Sequence, residues 1–556
     1  MNLRRLFRRD TAGKDAVSGL VLGVESVPDS LASGLLAGVN PIFGLYGAMW
    51  GTFTGALFTS SAFMAVQTTG AMSIIVADVD QIGSADDPAS ALFTLSIMTG
   101  IVMLTLGLLK LGMLLNYVSQ SVMIGFISAV GVNIVLGQLD GFTGYESEGS
   151  NRVSRAIDLV LHPFDIDLQT FAVGLATIVL ILVLERTRLD ALGMVVAVFA
   201  ASAMVPAFGW DVERLQDIAD IPNSLPLPKF PDLGLIPSLL VPALALAFIG
   251  LVQGAGVSAS FPRPDGTPTD TSRDFVGQGA ANIAAGTLQG MPVGGSMSAS
   301  ALAVSGGARS RLAVLIAGVV MGVVILVFAK PVGYIAMPAL AGLLITVGVR
   351  TIKPGQIATV LRTGRIQQTV LLVTFVLTML IPLQFAVLIG VGTSMMLYVI
   401  RQSNQISLQR LRVDDERHLI DDEPPDELPA GTVVLLEPVG SLFFAAAPAF
   451  EAMLPTVTDQ SSNSVVVIRL RGRDDVGATL IEVFVRYASA LHDVESKLVL
   501  ASVQPRVQDQ LKATGMMNDL GEHNIYGPGR WHTDTLLTAY DDATAWVARS
   551  ADDRTD

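Results

Sequence analysis

The stretch Gly290-Met-Pro-Val-Gly-Gly-Ser-Met-Ser-Ala-Ser-Ala301 lies between long apolar segments, but it is too rich in glycine, serine and proline for an ordinary lipid-facing helix. Pro292 has no backbone N–H, and the glycine pair after it gives flexible backbone just before small residues that can begin a helix. A break at membrane depth leaves N–H groups that must face protein or a water-filled cavity, because lipid cannot satisfy them. We therefore expect these N–H groups, with Ser296 and Ser298, to form one wall of an anion site.

The composition indicates a membrane protein. Of the 556 residues, 51% are hydrophobic and 15% are charged, whereas soluble domains carry about 25% charged residues. The chain has no cysteine and five histidines, which all fall outside the predicted spans, so we expect no disulfide, no metal site and no cofactor. No catalytic dyad or phosphate-binding loop appears, so we expect no enzyme. The net charge of -14 argues against a nucleic-acid partner.

Apolar segments of about 20 residues, several of them shorter or broken, predict a polytopic α-helical membrane region with about 14 spans. Twelve spans remain the alternative if two short segments pair as a re-entrant element. The predicted spans are residues 16–38, 43–62, 64–79, 90–111, 114–138, 168–186, 189–208, 237–259, 274–289, 294–305, 310–329, 331–349, 366–383 and 384–401.

The charges in the loops predict the orientation. Lysine and arginine gather in the even-numbered loops, as at 185–188 and 350–365, whereas the loops around 78–87 and 211–220 are acidic. Because cytoplasmic loops carry the Lys/Arg excess, we expect a multi-pass protein of the cell inner (plasma) membrane with both termini in the cytoplasm. The cytoplasmic basic N-terminus, residues 1–15, is expected to contact lipid headgroups.

The composition changes after the membrane region. The predicted domains are a transmembrane transport domain (core and gate) over 16–401, an acidic linker over 402–430, a soluble α/β domain over 431–548 and a disordered tail over 549–556. In the soluble domain, alternating patterns predict strands and helices. They are strands Thr432–Leu436, Val465–Leu470 and Lys497–Ser502, and helices Leu480–His492 and Pro505–Thr514.

The two halves of the membrane region share a short stretch of similar sequence. Gly70-Ala-Met-Ser73 lies in the third segment, and Gly295-Ser-Met-Ser298 opens the tenth. Third and tenth are equivalent positions in two repeats of seven, and an odd number of spans makes the second repeat inverted. Paired short segments interrupted by glycine indicate a transporter binding site. Two half-helices would then aim their N-termini at one point, each with about +0.5 of an elementary charge, which suits an anion.

Longer motifs resemble a known family. The first segment, Gly19-Leu-Val-Leu-Gly-Val-Glu-Ser-Val-Pro-Asp-Ser-Leu-Ala-Ser-Gly-Leu-Leu-Ala-Gly38, is similar to the opening signature of SulP/SLC26 anion transporters. Ser121-Val-Met-Ile-Gly-Phe126 resembles their fifth span, and Pro292 to Ser298 their tenth. Gly440-Ser-Leu-Phe-Phe444 and Leu500-Ala-Ser-Val-Gln-Pro505 resemble parts of a C-terminal STAS domain, so the soluble region is STAS-like.

The resemblance implies a seven-plus-seven inverted repeat in which a core domain carries the anion past a gate domain. It implies a homodimer, and substrates such as sulfate, bicarbonate, chloride or dicarboxylates, in some members with Na⁺ or H⁺. Three positions depart from the family. Neutral Gln253 stands where many relatives have a carboxylate, Ser298 is followed by Ala299 without an arginine, and Gly477-Ala-Thr479 replaces an Asp-Ala-Thr motif, which puts phosphorylation-type signalling in doubt.

Two carboxylates stand in the first segment. Glu25 and Asp29 are four residues apart and share one helix face. Carboxylates at membrane depth are costly and usually mark ion paths, so we expect one of them to bind H⁺ or Na⁺. The alternatives are that they cap broken helix ends, or that Glu25 faces a water-filled vestibule. The expected substrate-binding residues are Thr68, Thr69, Gly70, Ala71, Met72, Ser73, Gln253, Gly295, Ser296, Met297 and Ser298.

The sequence therefore predicts a secondary active transporter of a small inorganic or organic anion, coupled to H⁺ or Na⁺ and working by alternating access. An uncoupled exchanger or channel on the same fold is the first alternative. A membrane-anchored STAS sensor or scaffold, in which transport is vestigial, is the alternative of another class. The residues give donor types but no cavity dimensions, so they leave the identity of the anion open.

Overall fold

The computed structural model describes residues 12–83, 85, 87–112, 119–149, 151–187, 192–219, 221–263, 267, 269–382, 385–386, 389, 392–393, 396–397, 399–400, 406–440, 442, 444–531 and 533–552. The chain divides into two compact units, Met1–Ser394 and Met395–Asp556.

The first unit is mainly helical. Among the described residues, its strands are β1 (Ala65–Gln67) and β2 (Gly294–Ser296). Its helices are α1 (Ala12–Leu36), α2 (Pro41–Phe58), α3 (Gly70–Ala77), α4 (Asp80–Gly83), α5 (Pro88–Leu108), α6 (Gln120–Gly137), α7 (Leu139–Thr143), α8 (Arg152–Leu161), α9 (Leu168–Leu184), α10 (Gly193–Phe208), α11 (Leu215–Ile218), α12 (Ile236–Ser260), α13 (Thr271–Thr287), α14 (Met297–Ser305), α15 (Leu312–Gly333), α16 (Met337–Thr351), α17 (Pro354–Thr363) and α18 (Arg365–Leu380).

Each predicted span from 16–38 to 366–383 overlaps a helix of this unit or, for 64–79 and 294–305, a short strand followed by a half-helix. Helices α4, α7, α8, α11 and α17 lie outside the predicted spans, and the last predicted span, 384–401, lies partly outside the described residues. Four described helical segments are individually long and apolar enough to cross a membrane: Pro88–Leu108, Gln120–Thr143, Leu233–Ser260 and Leu312–Gly333. The other described helices of this unit are shorter or less apolar.

Polar caps fix several helix starts. Asp87 accepts a hydrogen bond from the N–H of Ser90 (3.2 Å) and precedes Pro88, the first residue of α5. Asn40 caps α2 in the same way, with Pro41 at its first position. Such side chains satisfy N–H groups that have no acceptor inside the helix, and proline at the first turn loses no hydrogen bond.

The helix contacts repeat between the two halves. Helix α1 packs on α15 as α12 packs on α5, and α2 packs on α15 as α13 packs on α5. In the remaining helices, α6 packs on α18 as α16 packs on α9. The first unit is therefore an inverted repeat with two helix groups, which we call the core group (α1, α2, α3, α5, α12, α13, α14 and α15) and the gate group (α6, α9, α10, α16 and α18).

Glycines bring α5 and α13 into backbone contact. A Cβ atom on Gly279 would lie 2.5 Å from the N atom of Leu104, and one on Gly100 would lie 2.6 Å from the carbonyl oxygen of Gly279. Small residues allow membrane helices to approach this closely.

Replacing Gly279 by alanine is therefore expected to destabilise the protein by about 1–3 kcal/mol, because backbone atoms must shift. The check is the thermal midpoint of the purified protein in detergent, compared with Gly355→Ala, whose Cβ would have no neighbour within 4 Å. Equal midpoints for the two variants would contradict the close packing of α5 on α13.

The second unit is a five-stranded sheet with helices. Its strands are β3 (Ser407–Val413), β4 (Leu419–Asp422), β5 (Val433–Val439), β6 (Val465–Arg469) and β7 (Lys497–Ala501), in the order β4-β3-β5-β6-β7. Strands β5, β6 and β7 are parallel, and β3 is antiparallel to β4 and β5. The helices are α19 (Ala447–Glu451), α20 (Gly477–Asp493), α21 (Pro505–Ala513), α22 (Met516–Leu520) and α23 (Asp534–Asp552).

Three predicted boundaries need correction. The acidic segment 402–430 contains β3 and β4, so the sheet begins inside the predicted linker, with Leu408 and Leu411 buried. Residues 549–552 of the predicted disordered tail belong to α23. Helix α1 begins at Ala12, inside the predicted N-terminal head, and residues 1–11 lie outside the described part of the chain.

Candidate anion-binding site

Strands β1 and β2 join the two repeats at the centre of the core group. They pair antiparallel, with Ala65 opposite Ser296, Val66 opposite Gly295 and Gln67 opposite Gly294. Half-helix α3 begins three residues after β1, and half-helix α14 follows β2 directly. The pairing therefore brings the N-termini of the two predicted half-helices to one place.

Glycine is required in β2 because α12 lies against it. A Cβ atom on Gly295 would lie 2.6 Å from the Cα atom of Gly254, a backbone atom that cannot rotate away. The glycine pair therefore allows close approach of the strand to the helix, and this packing fixes the start of α14.

Most N–H groups of the 290–301 stretch are bound by protein. The N–H of Met291 donates to the carbonyl oxygen of Phe43 (3.0 Å), and that of Val293 donates to Oδ1 of Asn282 (2.9 Å). The N–H of Gly295 donates to a side chain of α13, Oε1 of Gln278 (3.1 Å). The expectation that this whole stretch offers its N–H groups to an anion was therefore too broad.

The first turns of the half-helices supply the remaining N–H groups. Thr69 caps α3 by accepting from the N–H of Met72 (3.4 Å), and Ser296 caps α14 by accepting from the N–H of Ala299 (3.3 Å). The first two residues of each helix have N–H groups without an acceptor inside the helix. These four residues, Gly70, Ala71, Met297 and Ser298, all line one cavity.

The cavity has a volume of about 420 Å³ and separates the half-helix starts from the gate group. Apolar residues of α6, α12 and α16 form much of its wall, including Phe126, Phe248 and Val347. Its polar residues near the half-helices are Asp29, Ser33, Thr68, Thr69, Gln253, Ser296 and Ser298.

Two polar side chains here have hydrogen-bonding capacity left over. Thr68 is 2% exposed, and its Oγ1 has no hydrogen-bond partner among the described residues. The hydroxyl of Thr69 donates to Oε1 of Gln253 (3.2 Å), which leaves the Nε2 donors of that amide. Because a buried polar atom without a partner costs free energy, these groups favour a ligand that accepts hydrogen bonds.

Three of the sequence-predicted site residues lie away from the cavity. Met72 and Ser73 are fully buried in the core group, because Met72 lies on the opposite side of α3 from Gly70 and Ser73 lies one turn further from the helix start that meets the cavity. Glu25 is also buried and does not line the cavity, whereas Asp29, one turn further along α1, does.

Two cations of this cavity were not predicted from the sequence. Arg350, in the last turn of α16, and Lys353, just after it, both line the wall contributed by the gate group. Arg350 also forms an ion pair with Glu185. These residues were counted only as loop charges, because nothing in their local pattern links them to half-helices that begin at Gly70 and Met297, far earlier in the chain.

In the second unit, Gly477-Ala-Thr479 begins α20. Gly477 has φ of +55°, a conformation that favours glycine. The carboxylate of Asp475 accepts from the N–H of Gly477 (3.0 Å) and from Nε2 of Gln510 (2.6 Å), and the second of these bonds is the main reason why the pKa of Asp475 lies below its usual value. The carboxylate of Asp475, two residues before this helix begins, is thus already paired within the domain.

Known protein families match both units. The model of the sulfate permease family matches residues 13–374, and that of the STAS domain matches residues 429–526. A probable sulfate transporter of Mycobacterium tuberculosis is 26% identical over 534 residues, covering 94% of this chain and 95% of that protein. The bicarbonate transporter BicA of Picosynechococcus is 27% identical over 415 residues, covering 72% of each chain.

Solved structures show the same fold. The murine Solute Carrier 26 family member A9 anion transporter, in its inward-facing state, superimposes with a TM-score of 0.82 at 18% identity, covering 97% of this chain and 93% of that chain. These relatives are transporters and not enzymes. The chain therefore belongs to the sulfate permease (SulP/SLC26) family, as a multi-pass membrane anion transporter with a C-terminal STAS domain.

Proposed function

We propose that the protein carries a small anion, such as bicarbonate or sulfate, held between the starts of α3 and α14. The observation that carries this proposal is that the first two residues of both half-helices line one cavity. Two helix N-termini supply roughly one positive charge in total. The names of the relatives, a probable sulfate transporter and a bicarbonate transporter, support this substrate class.

Cation coupling is assigned to Asp29. This carboxylate lines the same cavity as the half-helix starts, so an ionised Asp29 would repel the anion unless H⁺ or Na⁺ neutralised it. Binding of the cation and of the anion then favour each other, which is the requirement for symport. Glu25 lies off the cavity, so we assign it a structural role in α1.

The cavity is proposed to open to the cytoplasm. It extends from the half-helix starts towards Arg350 and Lys353, which belong to the basic loops expected inside the cell. On the other side, Gly70 packs against Ile134 of α6, since a Cβ on this glycine would lie 2.5 Å from Cδ1 of Ile134. Alternating access requires this contact between core and gate groups to open. With this orientation, the protein lies in the inner membrane and both of its termini lie in the cytoplasm. A homodimer is proposed from the family alone.

Uptake of labelled bicarbonate, sulfate and dicarboxylates by the purified protein in liposomes tests this function. We expect uptake of at least one of these anions, and we expect an imposed H⁺ or Na⁺ gradient to drive its accumulation. Uptake without dependence on either gradient would favour the uncoupled exchanger or channel. Absence of uptake of every anion tested would contradict transport and favour the STAS sensor.

A further inference from the structure

Helix α8, between α7 and α9, presents an apolar face that the protein does not cover. Ile157, Val160 and Leu161 are exposed and follow the spacing of one helix face, and Phe164, in the turn three residues after the helix ends, is 97% exposed. Leu159, on the opposite side of the helix, is buried.

The charged side of α8 is fixed to the first unit. Arg152 forms an ion pair with Asp78 (2.8 Å), and Asp158 accepts from the hydroxyl of Tyr145 (3.0 Å) and from the N–H of Glu148 (2.9 Å). Asn151 and Ser154 form a capping box at its start. These contacts hold the helix in one orientation, with its apolar face turned outward.

The position of the segment in the chain places this face at the edge of the bilayer. Gln120–Thr143 holds 24 residues, which extend about 36 Å at 1.5 Å per residue and so reach the far side of a hydrocarbon core of about 30 Å. The N–H of Asp167 donates to the carbonyl oxygen of Thr143 (3.0 Å), so α9 begins at the level where α7 ends. Helix α8 therefore belongs to a connecting segment that leaves and re-enters the membrane on the same side.

The apolar face continues onto a surface that meets lipid. Leu168, Leu175, Val179 and Leu182 are exposed along α9, an apolar helix of the membrane region. We propose that α8 lies in the boundary between headgroups and acyl chains of the outer leaflet, with Ile157, Val160, Leu161 and Phe164 in contact with lipid. An amphipathic helix with a large apolar face has this location in membrane-bound proteins.

The contact with lipid has a consequence for the half-helix. Asp78 is the residue that ends α3, so Arg152 joins the lipid-bound segment between gate-group helices to the outer end of a core-group half-helix. On the alternating-access mechanism proposed above, α8 holds the outer side closed, and the leaflet contributes to the free energy of opening.

Spin labelling tests the lipid contact without any substrate. The chain has no native cysteine, so Phe164→Cys and Val160→Cys introduce unique labels into the full-length protein in liposomes. We expect both labels to be more accessible to oxygen than to a water-soluble nickel complex, and the label at the exposed loop position Glu146→Cys to show the opposite order. Nickel access at Phe164 would overturn the proposal, and so would label–label broadening, which would indicate a second copy of this chain on the face.

A second measurement tests the connection to α3. In cells expressing an Ile127→Cys variant, which labels the cavity wall, we expect Arg152→Gln to raise the rate of modification by an impermeant external maleimide by about fivefold, the value for an ion pair of about 1 kcal/mol. The matched control is Arg155→Gln, whose partner Asp140 lies 3.8 Å away on the neighbouring α7. Equal rates for the two variants would overturn the connection but leave the lipid contact and the anion transport intact.

Discussion

Replacing Ser298 by glutamate is expected to abolish anion transport while the protein remains folded. Ser298 is the second residue of α14 and lines the cavity, so the new carboxylate would lie beside the N–H groups of the half-helices. A helix N-terminus stabilises a negative charge, so the tethered carboxylate takes the place of a free anion. Two unit charges 4 Å apart repel by about 4 kcal/mol at an effective dielectric constant of about 20, which lowers affinity by roughly 1,000-fold.

Labelled-anion uptake into liposomes, together with the thermal midpoint of the purified protein, checks this result. The control is Ser305→Glu, which puts the same side chain at the exposed far end of the same helix. We expect the control to transport like the native protein. Native uptake by the Ser298→Glu variant would show that the anion does not pass between α3 and α14.

Replacing Asp29 by asparagine is expected to remove cation-driven accumulation and to leave downhill anion movement. The substitution keeps the size of the side chain but removes the charge that a cation must neutralise in the cavity. At one proton per anion, a gradient of one pH unit sustains about tenfold accumulation of the anion. The variant should therefore lose about tenfold accumulation under that gradient while it still exchanges labelled for unlabelled anion.

The neighbouring carboxylate provides a matched comparison. Glu25→Gln makes the same change one turn away on α1, but at a buried position off the cavity. We expect this variant to keep its gradient dependence and to lose thermal stability. A reversed outcome, with coupling lost only in Glu25→Gln, would move the cation site from Asp29 to Glu25.

The sequence predicted the meeting of the two half-helices but not how they are joined. Gly70-Ala-Met-Ser73 and Gly295-Ser-Met-Ser298 were sufficient to pair the third and tenth segments. The strands between them, β1 and β2, have three residues each, too few for a period of two to be recognised. Within the first motif, Gly70 and Ala71 line the cavity whereas Met72 and Ser73 are buried in the core, and a comparison of motif letters does not distinguish the two kinds of position.

Long-range contacts explain the remaining differences. Arg350 reaches the cavity only because α16 packs beside α6, and a local charge pattern carries no such information. In the acidic segment, the charged residues of β3 and β4 are exposed or half-buried, and only Leu408 and Leu411 reveal the buried face. The composition therefore predicted a linker, whereas in the structure β3 pairs with β5 and becomes part of the sheet.

The pairing of β1 with β2 has a consequence for how the two repeats have diverged. The hydrogen bonds between these strands join main-chain atoms, and the candidate donors to the anion include the main-chain N–H groups of Gly70, Ala71, Met297 and Ser298. A substitution alters a side chain but leaves these main-chain atoms in place, as long as the backbone can still approach its neighbours as closely as before. The side chains of the two repeats can therefore differ at almost every position while these main-chain N–H groups still face one cavity. The four-residue similarity between the halves is itself out of register in the fold, since Gly70 is the first residue of α3 whereas Gly295 lies in β2, two residues before α14 begins.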